Sequence, residues 1–92
     1  MAIPKVSSLP VDPSALALNA LAWVLGEERR AQRFLDLTGL APGDLRARIG
    51  TPELQLSVLD FLCAHEPDLV AAGDDLGIAP GEIAAARESL AK

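Results

Sequence analysis

The 92-residue sequence lacks tyrosine altogether and has one tryptophan, two phenylalanines, one cysteine, one histidine and one methionine. With Trp23, Phe34 and Phe61 as its only aromatic residues, its core must be built from Leu, Ile, Val and Ala. Alanine and leucine outnumber β-branched residues, which favours packed helices over strands. The single Cys63 excludes an intramolecular disulfide and fits a reducing compartment. The longest apolar run, Ala20–Leu25, is far short of the ~20 residues of a membrane helix. MAIPKVSSLP has no apolar stretch of signal-peptide length. These shortages lead to the expectation of a cytoplasmic protein with no membrane segment.

Positive charge is also scarce. The formal net charge is −5, and it is unevenly placed. Residues 1–50 hold Lys5, Arg29, Arg30, Arg33, Arg46 and Arg48 against five acids, whereas residues 51–92 hold Arg87 and Lys92 against eight. An acidic chain is poorly matched to generic nucleic-acid or membrane binding, although the first half retains a basic cluster.

What the chain has in quantity is helix punctuation. Residues 1–11, interrupted by Pro4 and Pro10, read as a flexible N-terminal arm. Residues 12–92 then read as one helical domain of about six short helices. Asp12-Pro13 opens the first, with an N-cap acid and a proline at the first helical position. Gly26, Gly39, Gly50 and Gly77 mark helix ends, and Pro42, Pro52 and Pro80 mark restarts. Glu66-Pro67 is expected to break the fourth helix, with His65 at its end favoured by the negative C-terminal dipole.

One stretch is written twice. GLAPGDL at 39–45 returns as GIAPGEI at 77–83, 38 residues on. The offset extends without a gap over 11–48 and 49–86: Leu16 falls on Leu54, Leu21 on Leu59, Trp23 on Phe61 and Asp36 on Asp74. We expect two copies of a three-helix unit, each burying the other's apolar face. Under the same offset Glu53, Ser57 and Asp60, a polar face of the fourth helix, fall on Ala15, Asn19 and Ala22 of the first. That first helix is apolar nearly all round, the pattern of a central core helix. Its small, uncharged face is the alternative: a surface for a homodimer or another protein.

No grouping of side chains supports catalysis. Cys63 and His65 lie two apart on an expected helix, about 200° from each other. No second Cys or His completes a structural zinc shell, and no Gly-Lys-Ser/Thr follows the glycines of a phosphate loop. No catalytic, metal or cofactor site is assigned, and Cys63 reads as a small buried residue. RFLDLTGLAPGDLRARIG has the outline of a helix-turn-helix with Arg46 and Arg48 on its second helix. Against it, that helix is short, and the second copy of the corner keeps its turn while its following helix retains one basic group. Nucleic-acid binding is the runner-up. The leading expectation is a non-enzymatic protein-interaction or regulatory module, with Arg29, Arg30, Arg33, Arg46, Arg48, Ala15, Asn19 and Ala22 as candidate partner-binding residues.

LAWVLGEERRAQRFLDLTGLAPGDLRARI and VLDFLCAHEPDL resemble short bacterial proteins grouped as domain-of-unknown-function family 3572. The resemblance spans roughly residues 14–90. It implies a small helical cytoplasmic protein and supplies no activity, cofactor or catalytic residue. That family commonly has an acid before the corner proline, where this chain has Ala41, so a weaker N-cap is expected there.

Overall fold

The computed structural model describes residues 12–92, so the arm expected over 1–11 lies outside the described residues. Six α-helices account for most of the rest: α1 (Pro13–Leu25), α2 (Glu28–Thr38), α3 (Pro42–Arg48), α4 (Pro52–Cys63), α5 (Glu66–Leu76) and α6 (Pro80–Ala91). Among the described residues there are no strands. The all-α bundle expected from the punctuation is the one observed.

Most helix starts have a local cause. The side chains of Asp12, Glu27 and Thr51 accept hydrogen bonds from the backbone N–H groups of Ala15, Arg30 and Leu54 at 2.9, 3.2 and 3.2 Å. Such bonds satisfy donors that a helix start leaves unpaired. Ala41 and Ala79 have no side chain to do this. Instead Asp44 and Glu82 reach back to accept from the backbone N–H of Ala41 and Ala79, at 3.0 and 2.9 Å. The acid of each repeated heptapeptide therefore completes half of a capping box. Gly39 and Gly77 end α2 and α5 with φ of 74° and 69°, a left-handed conformation that costs glycine nothing.

The core is one aliphatic cluster with a single aromatic pair. Leu16, Leu21, Val24, Leu54, Val58, Leu59, Leu62 and Ile83 are buried together. Phe34, the only buried residue of α2, meets Phe61 of α4 edge to face, with ring centroids 5.3 Å apart. α4 runs through the middle, packed against α1, α2, α5 and α6. Gln55 is the buried polar residue of this interior. Its Oε1 accepts from Ser14 Oγ at 2.8 Å, and its Nε2 donates to the Ile49 carbonyl at 3.4 Å.

The 38-residue spacing recurs in the helix starts, since α2 and α5 begin at 28 and 66, and α3 and α6 at 42 and 80. Packing does not treat the two halves alike. α6 lies against α1, α4 and α5, whereas α3 pairs closely with no helix and buries only Leu45. Arg48 of α3 stands where α6 has buried Ala86, and a guanidinium without a partner is costly to bury there.

Candidate interaction surface

α1 contains no charged residue. One side of it is core: Leu16, Ala17, Ala20, Leu21 and Val24. The opposite side carries Ala15, Leu18, Asn19, Ala22 and Leu25, all exposed, with Leu18 and Leu25 at 38% and 42%. Their spacing of three, one, three and three places them on one helical face. The structure thus brings Ala15, Asn19 and Ala22 together, and adds two leucines to them. It also corrects the expectation of a core helix. α1 is apolar all round, yet it is covered on one side only among the described residues.

This face leads into a groove. Leu21 and Leu25 of α1, Leu35 of α2, and Pro42, Leu45 and Ile49 line a cavity of about 300 Å³, with Arg46 at its side. Ile49 is 46% exposed. The groove exists because α3 stands off the body. Burial of Leu45 anchors the helix, and the space between α3 and α1 is left open to solvent.

The five arginines expected to form one patch do not. Arg30 is committed inward. Its guanidinium carbon lies 3.5 Å from the centroid of the Trp23 ring, it donates to the Trp23 carbonyl, and its Nη1 is 3.8 Å from Glu27. Its Nε is buried without a hydrogen-bond partner. Arg33 pairs with Asp68 of α5 and lies over the Phe61 ring at 5.1 Å from the centroid. These two act as fasteners between elements. Arg29, Arg46 and Arg48 are exposed and form no ion pair among the described residues. Arg46 and Arg48 are two apart on α3 and so point about 200° from each other. Arg46 faces the apolar groove. Arg48 faces a second cavity of about 420 Å³ that it shares with Leu37, Leu40, Glu53, Asp60 and Phe61.

The Cys-His-Asp stretch is likewise separated. Cys63 is half-buried in a shallow cavity with Asp60, Ala64 and Arg87, where Arg87 pairs with Asp60. Burial pushes its thiol above the ordinary value of 9.0, Arg87 opposes that shift and Asp60 adds to it. A protonated thiol is a poor nucleophile at neutral pH. His65 is not the closing residue of α4 as expected. α4 is capped by Ala64, and His65 is the N-cap of α5, its Nδ1 3.1 Å from Asp68 Oδ2. Pro67 tolerates this placement because the first turn of a helix needs no N–H from it. Among the described residues no three His, Cys, Asp or Glu side chains come together as a metal-binding group.

A contact that the sequence reading missed ties α1 to α5. Trp23 Nε1 donates to Asp75 Oδ2 at 2.6 Å. No local spacing connects these two residues, which lie 52 apart in the chain.

The model of a family described as "Protein of unknown function (DUF3572)" matches residues 11–92. No curated protein gives a match, and neither does any solved structure.

Proposed function

The chain belongs to the DUF3572 family, and because that description assigns no activity we propose a function from its surfaces: a small, non-enzymatic protein-interaction or regulatory module acting in the cytoplasm. One observation carries this reading. A helix without a single charge exposes two leucines on a face that runs into an apolar groove, in a protein whose residues are 23% charged. Exposed apolar surface of this continuity marks binding sites. A groove walled by aliphatic side chains with one arginine at its side suits an apolar helix of another chain rather than a polar small molecule.

Nucleic acid is the competing occupant, since Arg46 and Arg48 form no ion pair among the described residues. Labelled duplex DNA titrated at two salt concentrations separates the two. The interaction reading expects no salt-sensitive binding. Binding that falls steeply with salt, and that Arg46→Ala and Arg48→Ala each weaken, replaces it with the nucleic-acid reading. Within cells, a photo-crosslinking residue at Ile49 is expected to join the chain to a discrete protein, and one at exposed Glu88 is not. Absence of any adduct at Ile49 removes the proposal.

A further inference from the structure

We infer that the uncharged face of α1 is where two copies of this chain meet, with their α1 helices side by side and parallel. The inference rests on reading that face as an interaction surface, and it adds the occupant and the geometry.

A chain of net charge −5 repels its own copy unless the meeting faces exclude or complement charge. α1 is the only one of the six helices with no charged residue. Its exposed Leu18 and Leu25 alternate with Ala15 and Ala22, so protrusions on one copy have hollows to enter on the other.

Charge on the two flanks of the face selects the arrangement. On the Leu25 side stands Arg46, beside the groove that Leu21 and Leu25 line. On the Trp23 side stands Asp75, held by the indole, while Arg30 on the same ring is turned inward to the Trp23 carbonyl and to Glu27. Both lie level with the C-terminal half of α1. A two-fold axis perpendicular to α1 would lay like flank on like and carry Arg46 and Asp75 of the second copy to the other end of the helix, so that no Arg46–Asp75 contact forms. A two-fold axis parallel to α1 lays each flank over the opposite one at the same height. Arg46 then approaches Asp75 of the second copy, and the contact occurs twice. Complementary charge across an interface fixes its register. The parallel pair is therefore the one formed.

Sedimentation equilibrium of the full chain over the micromolar range tests this. A monomer–dimer equilibrium is expected. Leu18→Glu and Ala22→Glu, each placing two like charges in the interface, should raise the dimer dissociation constant by about a hundredfold or more. Arg46→Glu should raise it by about tenfold, and that effect should shrink in high salt. Circular dichroism checks that each variant stays helical. Geometry is read separately. In a Cys63→Ser background, Ala15→Cys should oxidise to a disulfide-linked dimer, because parallel helices bring residue 15 to its own copy; an antiparallel pair carries it to the other end of the helix. A monomer at every concentration, a dimer indifferent to Leu18→Glu, or a dimer in which Ala15→Cys does not couple overturns the proposal. A monomer whose crosslinker at Leu18 joins another protein, or joins residues 1–11 of its own chain, gives the face to that occupant. The first result leaves the interaction reading standing while the dimer falls; a monomer with no adduct removes both.

Discussion

Trp23 holds Asp75 with its indole N–H at 2.6 Å and carries Arg30 on its ring at 3.5 Å. One side chain thus links α1 to the carboxylate of α5 and to the guanidinium of α2. The indole supplies two different surfaces for this, a donor at its edge and a negative face. Asp75→Ala should remove the edge contact and lower stability by about 1 kcal/mol, since the bond is charge-assisted but exposed. Trp23→Phe should cost more, because it removes the N–H and shrinks the platform under Arg30. As the only tryptophan, Trp23 reports the first change directly: its emission should shift in Asp75→Ala without loss of helicity. Urea titrations followed by fluorescence and by circular dichroism check both effects.

Glycines at three kinds of position should respond oppositely to the same substitution. A Cβ on Gly73 would lie 2.6 Å from the carbonyl oxygen of Ile78, a backbone atom held in place because Ile78 N–H donates to the Gly73 carbonyl at 2.9 Å. Gly73→Ala should therefore destabilise by about 2 kcal/mol through overpacking. Gly39→Ala meets no atom within 4 Å but must hold φ at +74°, at a cost of about 1 kcal/mol. Gly43 and Gly81, in the first turns of α3 and α6, have open space and helical backbone. Replacing either by Ala should stabilise by about 0.5 kcal/mol by restricting the unfolded chain. Thermal melts of the four variants should rank them in that order.

The helices were legible because their boundaries are written locally. Asp12-Pro13, Gly39 and Pro42 each act on a backbone group within a few residues, and no distant contact is needed to read them. The arginine patch was misread because sequence proximity was taken for spatial proximity. Arg46 and Arg48 are neighbours in the chain and nearly opposite on α3, while Arg30 and Arg33 found partners on Trp23 and Asp68. The exposed side of α1 was misjudged for a related reason. Periodicity reports where apolar residues lie around a helix and not how many neighbours arrive to cover them. Ala15, Asn19 and Ala22 were picked out by comparison with the acidic face of α4, and that comparison located the surface correctly without showing that it is exposed.

Gln55 gives a measure of how much a buried polar link contributes. It is 5% exposed and joins Ser14 at the start of α1 to the Ile49 carbonyl after α3. Gln55→Leu keeps the volume roughly constant and abandons both partners, so it should cost about 1–3 kcal/mol. Ser14→Ala alone should cost about 1 kcal/mol, and the two losses should not add, since either removes the 2.8 Å bond. A double-mutant cycle in urea checks the coupling. Additive losses would show that the Ser14 bond contributes nothing.

The thiol of Cys63 should titrate above its ordinary value of 9.0, driven first by burial, with Arg87 pulling it down and Asp60 pushing it up. The pH profile of iodoacetamide alkylation reads this, because the thiolate is the reacting form. Its midpoint reports the pKa and its plateau reports access. Arg87→Ala separates the two, since it opens the cavity that Arg87 lines while removing the one influence that favours the thiolate. The plateau should rise and the midpoint should move further up. A midpoint that moves down would mean that burial, relieved by the truncation, outweighs the lost positive charge. The same shift sets a pH dependence of stability. A folded-state value above the unfolded one means that the native state holds its proton more tightly. That contribution is complete below the unfolded thiol value and is lost as pH rises through the folded one. Urea stability of the parent chain should thus fall at alkaline pH by more than that of Cys63→Ala, and the gap between the two should open only as pH rises past the ordinary thiol value of 9.0.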